Sequence, residues 1–335
     1  MAIQTQFKKN VLVLGGAGFI GSHLCDDLVK IANVICVDSF ISSDPLNIEH
    51  LLALPNFEFI RADINDVLDL ENIPELEKFD IKFHGLQEVY NLAVPTSPKN
   101  FNQFKAETAI TNTQGTINAL NIALKYRSKF LQFSSSVVYG MPTTRGVYVE
   151  ETSFFPVDPL SPNGVYDEGK RVADTLVMTY REKYNLDAKI IRIFRTYGPR
   201  MPLFEGHMIP DFIVNALNGE PLVIFGSEQF ETSLVYVDDV ISACHKVMMS
   251  PHAGPYNVGN PLSYKLADVA KKIITMTQST SKIEYQGALQ FMRELALPNI
   301  SKIKKEIDWF PVMTLDKGLE KTIEYTRAHK ILVKR

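Results

Sequence analysis

The chain has few cysteines, a single tryptophan and no long apolar run. Its three cysteines show no metal-ligand spacing, which argues against a disulfide framework and favours buried thiols in a reducing compartment. No stretch approaches the roughly 18 apolar residues that a membrane-spanning helix needs. Residues 1–10 contain no apolar signal core. We therefore expect a cytoplasmic protein with no membrane partner.

An excess of positive charge is also lacking. The 35 Lys and Arg residues against 38 Asp and Glu residues leave a formal net charge of -3, so no positive field would gather nucleic acid. The seven histidines show no paired metal spacing, and we expect no metal site. With 45% hydrophobic residues over 335 positions, the composition is that of one large or two joined globular domains.

Short apolar runs alternate with helix-compatible stretches along the first part of the chain. Several runs are apolar at nearly every position, which is typical of strands covered by helices on both faces. The pattern predicts an α/β fold, a Rossmann-type doubly wound parallel sheet with a smaller C-terminal α/β lobe. The predicted strands are Val11–Leu14, Val34–Val37, Phe57–Arg61, Val89–Ala93, Phe130–Ser134 and Ala188–Ile193.

Two segments, Gln103–Lys125 and Val165–Tyr184, repeat apolar residues every three or four positions and are predicted helices. After about residue 193, prolines divide the chain into shorter pieces, which predicts a second lobe. Short β segments at Leu234–Val237 and Tyr256–Val258 suggest that the chain returns to the first domain. We expect one domain from residues 1–190 plus about 232–260, and the lobe from about 191–231 plus 261–330.

The strongest local motif is a glycine cluster between the first predicted strand and a helix, Gly15-Gly16-Ala17-Gly18-Phe19-Ile20-Gly21. It fits both G-x-G-x-x-G and G-x-x-G-x-x-G. Only a backbone without Cβ can approach a pyrophosphate closely, and the helix N-terminus adds unpaired N–H groups and a positive dipole end. The cluster therefore predicts a dinucleotide site rather than a glycine-rich turn without a ligand.

Two aspartates at strand ends extend this prediction. Asp38 follows the second strand about 20 residues after the glycines, where a carboxylate accepts hydrogen bonds from a ribose diol. Because the same carboxylate would repel a 2′-phosphate, NAD is predicted over NADP. Asp63, just past the third strand, is placed to bind the adenine amino group, although an Asp there is also an ordinary turn former.

Tyr166 and Lys170 lie four residues apart on a predicted helix and so share one face. A free phenol has a pKa of about 10, too high for a useful base, but a neighbouring cation and an oxidised nicotinamide stabilise the phenolate. Tyr166 is thereby a candidate proton acceptor near neutral pH. Taken alone, such a pair is usually a solvated helix face.

A hydroxyl cluster, Ser134-Ser135-Ser136, follows the fifth predicted strand. Loops at the C-terminal ends of such strands bind ligands. A hydroxyl at this position could hydrogen-bond the substrate oxygen whose proton Tyr166 removes. We predict Ser135 for this role, with Ser136 as its nearest competitor.

Together these motifs resemble the extended short-chain dehydrogenase/reductase (NAD-dependent epimerase/dehydratase) family in order and spacing. Within that family the chain looks most like UDP-glucuronate decarboxylase (UDP-xylose synthase). The resemblance rests on the glycine cluster, Asp38, Asn91-Leu92-Ala93, Thr111-Asn112-Thr113, Val138-Tyr139-Gly140, Tyr166–Arg171, Arg192-Ile193-Phe194, Tyr197–Met201 and Gly219–Leu222.

The resemblance implies an NAD-binding Rossmann domain, a nucleotide-sugar-binding lobe and a homodimer formed through the two long helices. It also implies oxidation of the sugar C4 hydroxyl to a 4-keto intermediate, in which Tyr166 takes the proton and NAD takes the hydride. The cofactor-binding residues that it implies are Gly15, Gly18, Phe19, Ile20, Gly21, Asp38, Asp63, Ile64, Leu92, Ala93, Asn112, Tyr166 and Lys170.

The chain departs from the decarboxylases at three positions. Val137 stands where the family has a glutamate, and Thr232 stands where it has an arginine that contacts the acidic sugar or diphosphate. Arg195 replaces an asparagine near the diphosphate, so its guanidinium could serve the same anion; the alternative is a structural pair with Glu231.

The lost glutamate favours epimerisation or C4 oxidation over decarboxylation and disfavours a dehydratase. A true UDP-glucuronate decarboxylase and an NAD-binding protein without turnover are the alternatives. Three further residues are substrate candidates. Lys99 would meet an acidic or phosphorylated group or be a solvated loop lysine, Phe225 would stack on the base or lie in the lobe's core, and Arg293 would bind the diphosphate.

Overall fold

The computed structural model describes residues 8–96, 102–142, 144–287 and 295–333. The chain divides into two compact units. The first takes its described residues from 1–95, 106–133 and 172–190, and the second takes them from 96–105, 134–171 and 191–335. Lys99 and Arg293 lie outside the described residues, so their predicted roles stay predictions.

A seven-stranded parallel sheet dominates the architecture. Its strands are β1 Asn10–Leu14, β2 Asn33–Asp38, β3 Phe57–Arg61, β4 Glu88–Asn91, β5 Lys129–Ser135, β7 Ala188–Ile193 and β12 Tyr256–Val258. They lie in the order β12-β7-β5-β4-β1-β2-β3, which confirms the predicted doubly wound α/β class.

The remaining strands are short and form two-stranded sheets. They pair as β6 with β15, β8 with β11, β9 with β14 and β10 with β13. Their bounds are β6 Tyr148–Val149, β8 Thr196–Tyr197, β9 Leu222–Phe225, β10 Glu231–Ser233, β11 Val235–Tyr236, β13 Ser263–Lys265, β14 Ile283–Gln286 and β15 Leu297–Pro298.

Ten α-helices connect and cover the strands in the described residues. None of them is both long enough and apolar enough to cross a bilayer. The helices are α1 Phe19–Leu28, α2 Ile81–His84, α3 Lys105–Ile110, α4 Thr116–Tyr126, α5 Gly164–Tyr184, α6 Met208–Asn218, α7 Val237–Met249, α8 Leu266–Thr277, α9 Ser301–Ile307 and α10 Leu315–Val333.

The core of the first unit is built on one face of the sheet. Leu12 and Leu14 of β1 pack with Ile35 and Val37 of β2, because alternate residues of a strand point to the same face. Helix α4 covers this face with Leu120, which is fully buried. Each such side chain contributes roughly 1.5–3 kcal/mol of burial free energy. The core therefore fixes the strand ends from which the glycine cluster and Asp38 project.

The predicted helix Gln103–Lys125 is interrupted. Between α3 and α4 the backbone forms a π-helical turn, Thr111–Gly115. The Asn112 Nδ2 donates to the Thr108 carbonyl at 2.9 Å, and the Thr113 hydroxyl donates to the Ala109 carbonyl at 2.8 Å. Such bonds compete with the helical ladder, and π turns are frequent at functional sites.

The two later β segments behave differently from each other. Tyr256–Val258 is β12 and pairs with β7 at the edge of the large sheet. Of the predicted Leu234–Val237, only Val235 and Tyr236 are strand, and they pair with β8 in a two-stranded sheet. Val237 already begins α7. The predicted domain boundaries stay a prediction.

All three cysteines, Cys25, Cys36 and Cys244, are buried and free, as predicted. The hydrogen bond with the Cys25 thiol, followed by burial, raises the pKa of the Cys36 thiol, and burial raises the pKa of the Cys244 thiol. Cys25 and Cys36 lie behind the glycine cluster, where a Cβ on Gly16 would come 2.5 Å from the Cys36 Sγ. These thiols therefore pack against the backbone as small apolar groups.

Candidate functional site

In the first unit, the glycine cluster forms a tight passage from β1 to α1. Gly15 has φ of +77°, and a Cβ there would lie 2.8 Å from the Ala93 Cα. A Cβ on Gly21 would lie 2.3 Å from the Gly15 carbonyl oxygen. Since these neighbours are backbone atoms, only glycine fits at either position.

The N-terminus of α1 is ready to receive an anion. Its N-cap is Gly18, so no side chain caps the helix, and its first turn has no acidic residue. The first N–H groups and the positive dipole end are thus available to a ligand. Gly18, Phe19 and Ile20 are partly exposed. This end of α1 fits the pyrophosphate of a dinucleotide.

Asp38 lies at the end of β2 and holds the glycine cluster in place. Its Oδ2 accepts the Ala17 N–H at 3.0 Å, while Oδ1 accepts the Phe40 N–H at 2.9 Å and the Ser43 hydroxyl at 2.7 Å. A carboxylate has about four lone-pair sites, so capacity remains for a diol hydroxyl. The buried negative charge beside the loop fits NAD and disfavours a 2′-phosphate.

Asp63 is exposed, and it forms a turn, which is the second of the two roles predicted for it. Its Oδ1 accepts the Asn65 N–H at 2.9 Å. The Asn118 Nδ2 donates to the Ile64 carbonyl at 2.9 Å, and the Asn65 Nδ2 donates to the Thr111 hydroxyl at 3.2 Å. The strand-end loop is thus joined to the π turn, which brings two predicted cofactor positions, Ile64 and Asn112, into one neighbourhood.

Leu92 and Ala93 follow β4 at the same edge of the sheet. The Leu92 N–H donates to the Leu14 carbonyl at 2.9 Å, which places this segment beside the glycine cluster. The described residues of the first unit therefore fit a dinucleotide along the carboxyl ends of β1, β2, β3 and β4. The two remaining cofactor candidates, Tyr166 and Lys170, lie in the second unit.

Tyr166 and Lys170 meet on one face of α5, in its first turns. The Lys170 Nζ lies 5.9 Å from the centroid of the Tyr166 ring. Lys170 is only 3% exposed, whereas Tyr166 is half-buried. An ammonium near a phenol favours the phenolate over the phenol. The arrangement therefore fits the predicted proton acceptor, whose role stays a prediction.

Two of the predicted serines lie where β5 ends and a 3₁₀ turn, Ser136–Tyr139, begins. We call this turn the serine turn. Ser135 is its N-cap, and its hydroxyl accepts the Val137 N–H at 3.4 Å. Ser135 is partly exposed, whereas Ser136 is buried. Exposure thus favours Ser135 as the hydroxyl that reaches a ligand.

Arg195 reaches the residue at which the family carries its arginine. Its Nη1 donates to the Thr232 hydroxyl at 3.0 Å, and its guanidinium carbon lies 5.8 Å from the centroid of the Phe230 ring. Glu231, the alternative partner considered for Arg195, accepts the Ser263 hydroxyl at 2.8 Å. The Arg195 guanidinium therefore reaches β10, the strand on which the family carries its arginine, although Arg195 lies at a different position in the sequence.

His207 is a neighbour of Arg195 that the sequence pattern did not reveal. It is the N-cap residue of α6 and is partly buried. Burial, followed by the Arg195 charge, lowers the pKa of His207 to about 4. The imidazole is therefore neutral at pH 7 and adds no second cation beside Arg195.

This shift predicts a pH-dependent stability. Between about pH 6.5 and pH 4 the unfolded chain binds a proton at His207 that the folded chain does not, so the free energy of unfolding falls as the pH falls. The loss is at most about 3 kcal/mol. Denaturant titrations at pH 7 and pH 4.5 measure it. His207→Gln should flatten the pH dependence, whereas His252→Gln, at an exposed site, should not; equal slopes in all three proteins would contradict the prediction.

Phe225 ends β9 and is partly buried. The next residue, Gly226, donates its N–H to the Gln286 carbonyl at 2.9 Å, which continues the pairing with β14. Phe225 is therefore not fully buried in the lobe's core, and stacking on a base stays a prediction. Within the described residues, no cluster of three or more His, Cys, Asp or Glu residues could hold a metal ion.

Comparison with known proteins agrees with this geometry. The profile of the NAD dependent epimerase/dehydratase family matches residues 11–259. UDP-glucuronic acid decarboxylase 1 of Xenopus tropicalis is 35% identical over 322 residues, which cover 96% of this chain and 72% of that protein.

Two solved structures are similar over nearly the whole chain. UDP-glucose 4-epimerase of Thermotoga maritima, solved with UDP-glucose, has a TM-score of 0.84 at 27% identity and covers 96% of this chain and 99% of its own. UDP-glucuronic acid 4-epimerase of Bacillus cereus, solved with UDP-glucuronic acid and NAD, has a TM-score of 0.82 at 26% identity, with 95% and 99% covered. The chain is therefore an enzyme that uses NAD, and it belongs to the NAD-dependent epimerase/dehydratase family.

Proposed function

We propose that this enzyme oxidises the C4 hydroxyl of a nucleotide-diphosphate sugar to a 4-keto intermediate and acts as an epimerase or a C4 oxidoreductase. NAD, when bound, supplies the acceptor for the C4 hydride. Tyr166 removes the hydroxyl proton, and Lys170 stabilises the phenolate that is needed for this step. Ser135, with Ser136 as its competitor, hydrogen-bonds the sugar oxygen.

The atoms balance in two half-reactions. In the first, the C4 O–H bond breaks and its proton goes to the Tyr166 oxygen, while the C4–H bond breaks with its electron pair and C=O forms. In the second, Tyr166 returns the proton as hydride comes back to C4. Return to the opposite face of the ketone inverts C4, so epimerisation needs a pocket in which the ketone can turn, and no further acid or base.

The observation that carries the proposal is the buried ammonium of Lys170 beside the Tyr166 phenol, 5.9 Å from its ring centroid. A lysine that is 3% exposed keeps its ammonium largely out of water, where its charge acts more strongly on a neighbouring phenol. The serine turn, at the end of a sheet strand, supports the same reading because ligands bind at the carboxyl ends of these strands.

Val137 supports epimerisation or C4 oxidation over decarboxylation. It is 8% exposed and lies within the serine turn, where decarboxylases carry a glutamate. Valine can neither hold nor move a proton. A true UDP-glucuronate decarboxylase is the second candidate, supported by the 35% identity to the Xenopus tropicalis decarboxylase and by the ease with which a β-keto acid loses carbon dioxide.

A substrate panel separates these reactions. Purified enzyme is incubated with UDP-, GDP-, CDP- and dTDP-sugars, including UDP-glucuronic acid, while the absorbance of reduced nicotinamide and the product mass are followed. An unchanged mass with a new isomer identifies an epimerase, and loss of two hydrogens identifies net oxidation. Loss of carbon dioxide identifies the decarboxylase and overturns our first choice. If the protein binds NAD but converts no sugar in the panel, the result identifies the remaining alternative, an NAD-binding protein without turnover.

Arg195 is proposed to bind the substrate diphosphate in place of the missing arginine at Thr232. We expect Arg195→Ala to weaken binding of the nucleoside diphosphate about tenfold to a hundredfold, because charge-assisted hydrogen bonds contribute roughly 1.5–3 kcal/mol. Calorimetric titration with UDP, or with whichever diphosphate the panel identifies, measures this loss. Arg327→Ala, at an exposed position of α10, is the control.

A second variant tests whether the positive charge at position 195 replaces the arginine that the family carries at position 232. Arg195→Asn combined with Thr232→Arg restores the arrangement of the family, and we expect it to recover most of the lost affinity. The Arg195–Thr232 distance of 3.0 Å supports this exchange. Unchanged affinity in Arg195→Ala would show instead that Arg195 has a structural role.

The predicted homodimer and cytoplasmic location complete the proposal. The predicted interface helices carry exposed apolar side chains: Ile110 on α3, and Val172 and Tyr184 on α5. These side chains support a homodimer in which the partner subunit covers this surface. Light scattering on the purified protein tests the dimer. The three buried, free thiols support a reducing compartment.

A further inference from the structure

The serine turn is held in shape by contacts from outside it. It is a 3₁₀ segment of four residues, and such short turns have poor internal hydrogen-bond geometry. At its end the C-cap residue, Gly140, donates its N–H to the Val137 carbonyl at 3.0 Å. The carbonyl of Val138 is left for a donor from elsewhere in the fold. The position of Ser135 and Ser136 therefore depends on what binds this turn.

Arg171 supplies that donor from helix α5. Its Nε donates to the Val138 carbonyl at 2.8 Å, and its Nη2 donates to the Phe155 carbonyl at 2.9 Å. The guanidinium carbon also lies 4.9 Å from the centroid of the Phe154 ring, and Nη1 lies 3.4 Å from the Glu168 Oε1. One planar fork therefore binds two separate backbone segments at once.

The segment around Phe155 is itself packed on the serine turn. The Phe155 N–H donates to the Tyr139 carbonyl at 2.7 Å, and a Cβ on Gly140 would lie 2.4 Å from the Phe155 oxygen. Arg171 thus connects three segments: the serine turn, the segment at Phe155 and helix α5. Two residues of that helix, Tyr166 and Lys170, belong to the proposed proton acceptor.

We propose that Arg171 is a positioning residue for the reaction, which sets the distance between the serine hydroxyl and the Tyr166 phenol by clamping the serine turn to α5. The inference rests on the proposed function, because it assumes that both groups act on one sugar oxygen. Misplacement by about 1 Å of such groups costs on the order of a hundredfold in rate. A lysine at position 171 has a single point charge and cannot bind both carbonyls in the same way.

The test compares Arg171→Lys and Arg171→Ala with the parent enzyme, using the substrate that the panel identifies. We expect kcat per folded molecule to fall about tenfold to a hundredfold in both variants, while KM for the sugar nucleotide and the affinity for NAD change less than about twofold. Millimolar guanidinium chloride should restore part of kcat in Arg171→Ala and none in Arg171→Lys, whose side chain fills the space. A residue that only stabilises the fold would show neither this KM-against-kcat split nor the rescue.

The matched control is Arg181→Ala, farther along the same helix, where the side chain contacts the Met178 sulfur at 3.3 Å. It should leave kcat unchanged. A parent-like kcat in Arg171→Lys, or no guanidinium rescue in Arg171→Ala, overturns the positioning role and leaves the proposed function intact. A parent enzyme that turns over no substrate in the panel overturns the proposed function, and the positioning role falls with it. If Arg171→Ala does not fold, Arg171→Lys alone decides through its kcat.

Discussion

Replacing Tyr166 with phenylalanine should lower kcat about 10²- to 10⁴-fold, because the variant keeps the ring and loses the oxygen that accepts the proton. NAD and the sugar nucleotide should still bind, since the glycine cluster, Asp38 and Arg195 are unchanged. Steady-state kinetics, with separate titrations of both ligands, measure the difference. This is the largest effect on the chemical step that we expect from a single atom.

The control for this prediction lies at the other end of the same helix. Tyr184 is exposed, so Tyr184→Phe makes the same chemical change away from Lys170 and should leave kcat within about twofold. A Tyr166→Phe enzyme with nearly the parent kcat would show that another group accepts the proton. Lost binding of both ligands would instead indicate a damaged fold, which thermal unfolding detects.

Gly21→Ala should lower both the free energy of unfolding and the affinity for NAD. The new Cβ would lie 2.3 Å from the Gly15 carbonyl oxygen, so the backbone of the cluster must move. We expect a loss of about 1–3 kcal/mol in the free energy of unfolding, as for other overpacked sites, and at least a tenfold loss in NAD affinity. Denaturant titration measures the first quantity, and fluorescence titration with reduced NAD measures the second.

Substitutions at two other glycines distinguish an effect on stability from an effect on NAD binding. At Gly18 the nearest atom to an added Cβ is 3.4 Å away, so Gly18→Ala should keep the stability and weaken NAD binding, because the methyl group would meet the pyrophosphate. At Gly287 no atom of the described residues lies within 4 Å of an added Cβ, and Gly287→Ala should change neither the stability nor the NAD affinity. Full NAD affinity in Gly18→Ala would contradict a pyrophosphate at this helix end.

Much of the fold was readable in the sequence because buried parallel strands are nearly continuous apolar runs. Phe57–Arg61 and Ala188–Ile193 match the observed strands residue for residue, and α5 begins one residue before its predicted start. The glycine cluster and the Tyr166–Lys170 pair were equally visible, since their chemistry depends on local spacing. Short-range patterns thus predicted the fold class and the cofactor, and they supply the spacing on which the proposed proton acceptor rests.

What the sequence did not reveal depends on partners far apart along the chain. Arg171 and Val138 are 33 residues apart, and no periodicity predicts a side chain that reaches such a carbonyl. The available signal was the position of Arg171 directly after Lys170. The π turn at Thr111–Gly115 and the helix start at Val237 were missed because apolar spacing alone cannot distinguish helix types or separate a buried strand from the first turn of a helix.

The serine turn has one more attachment, at its last residue. The Tyr139 hydroxyl donates to the Asn257 Oδ1, and the Asn257 Nδ2 donates to the carbonyls of Val149 and Asn299 at 2.9 and 3.0 Å. Tyr139 and Asn257 are 118 positions apart, so a ribosome must add that many residues before the bond can form. Contacts of such long separation close late, after the local ones. A nascent chain that ends before Asn257 should therefore contain the glycine cluster, the serines and Tyr166, and still lack an assembled catalytic centre.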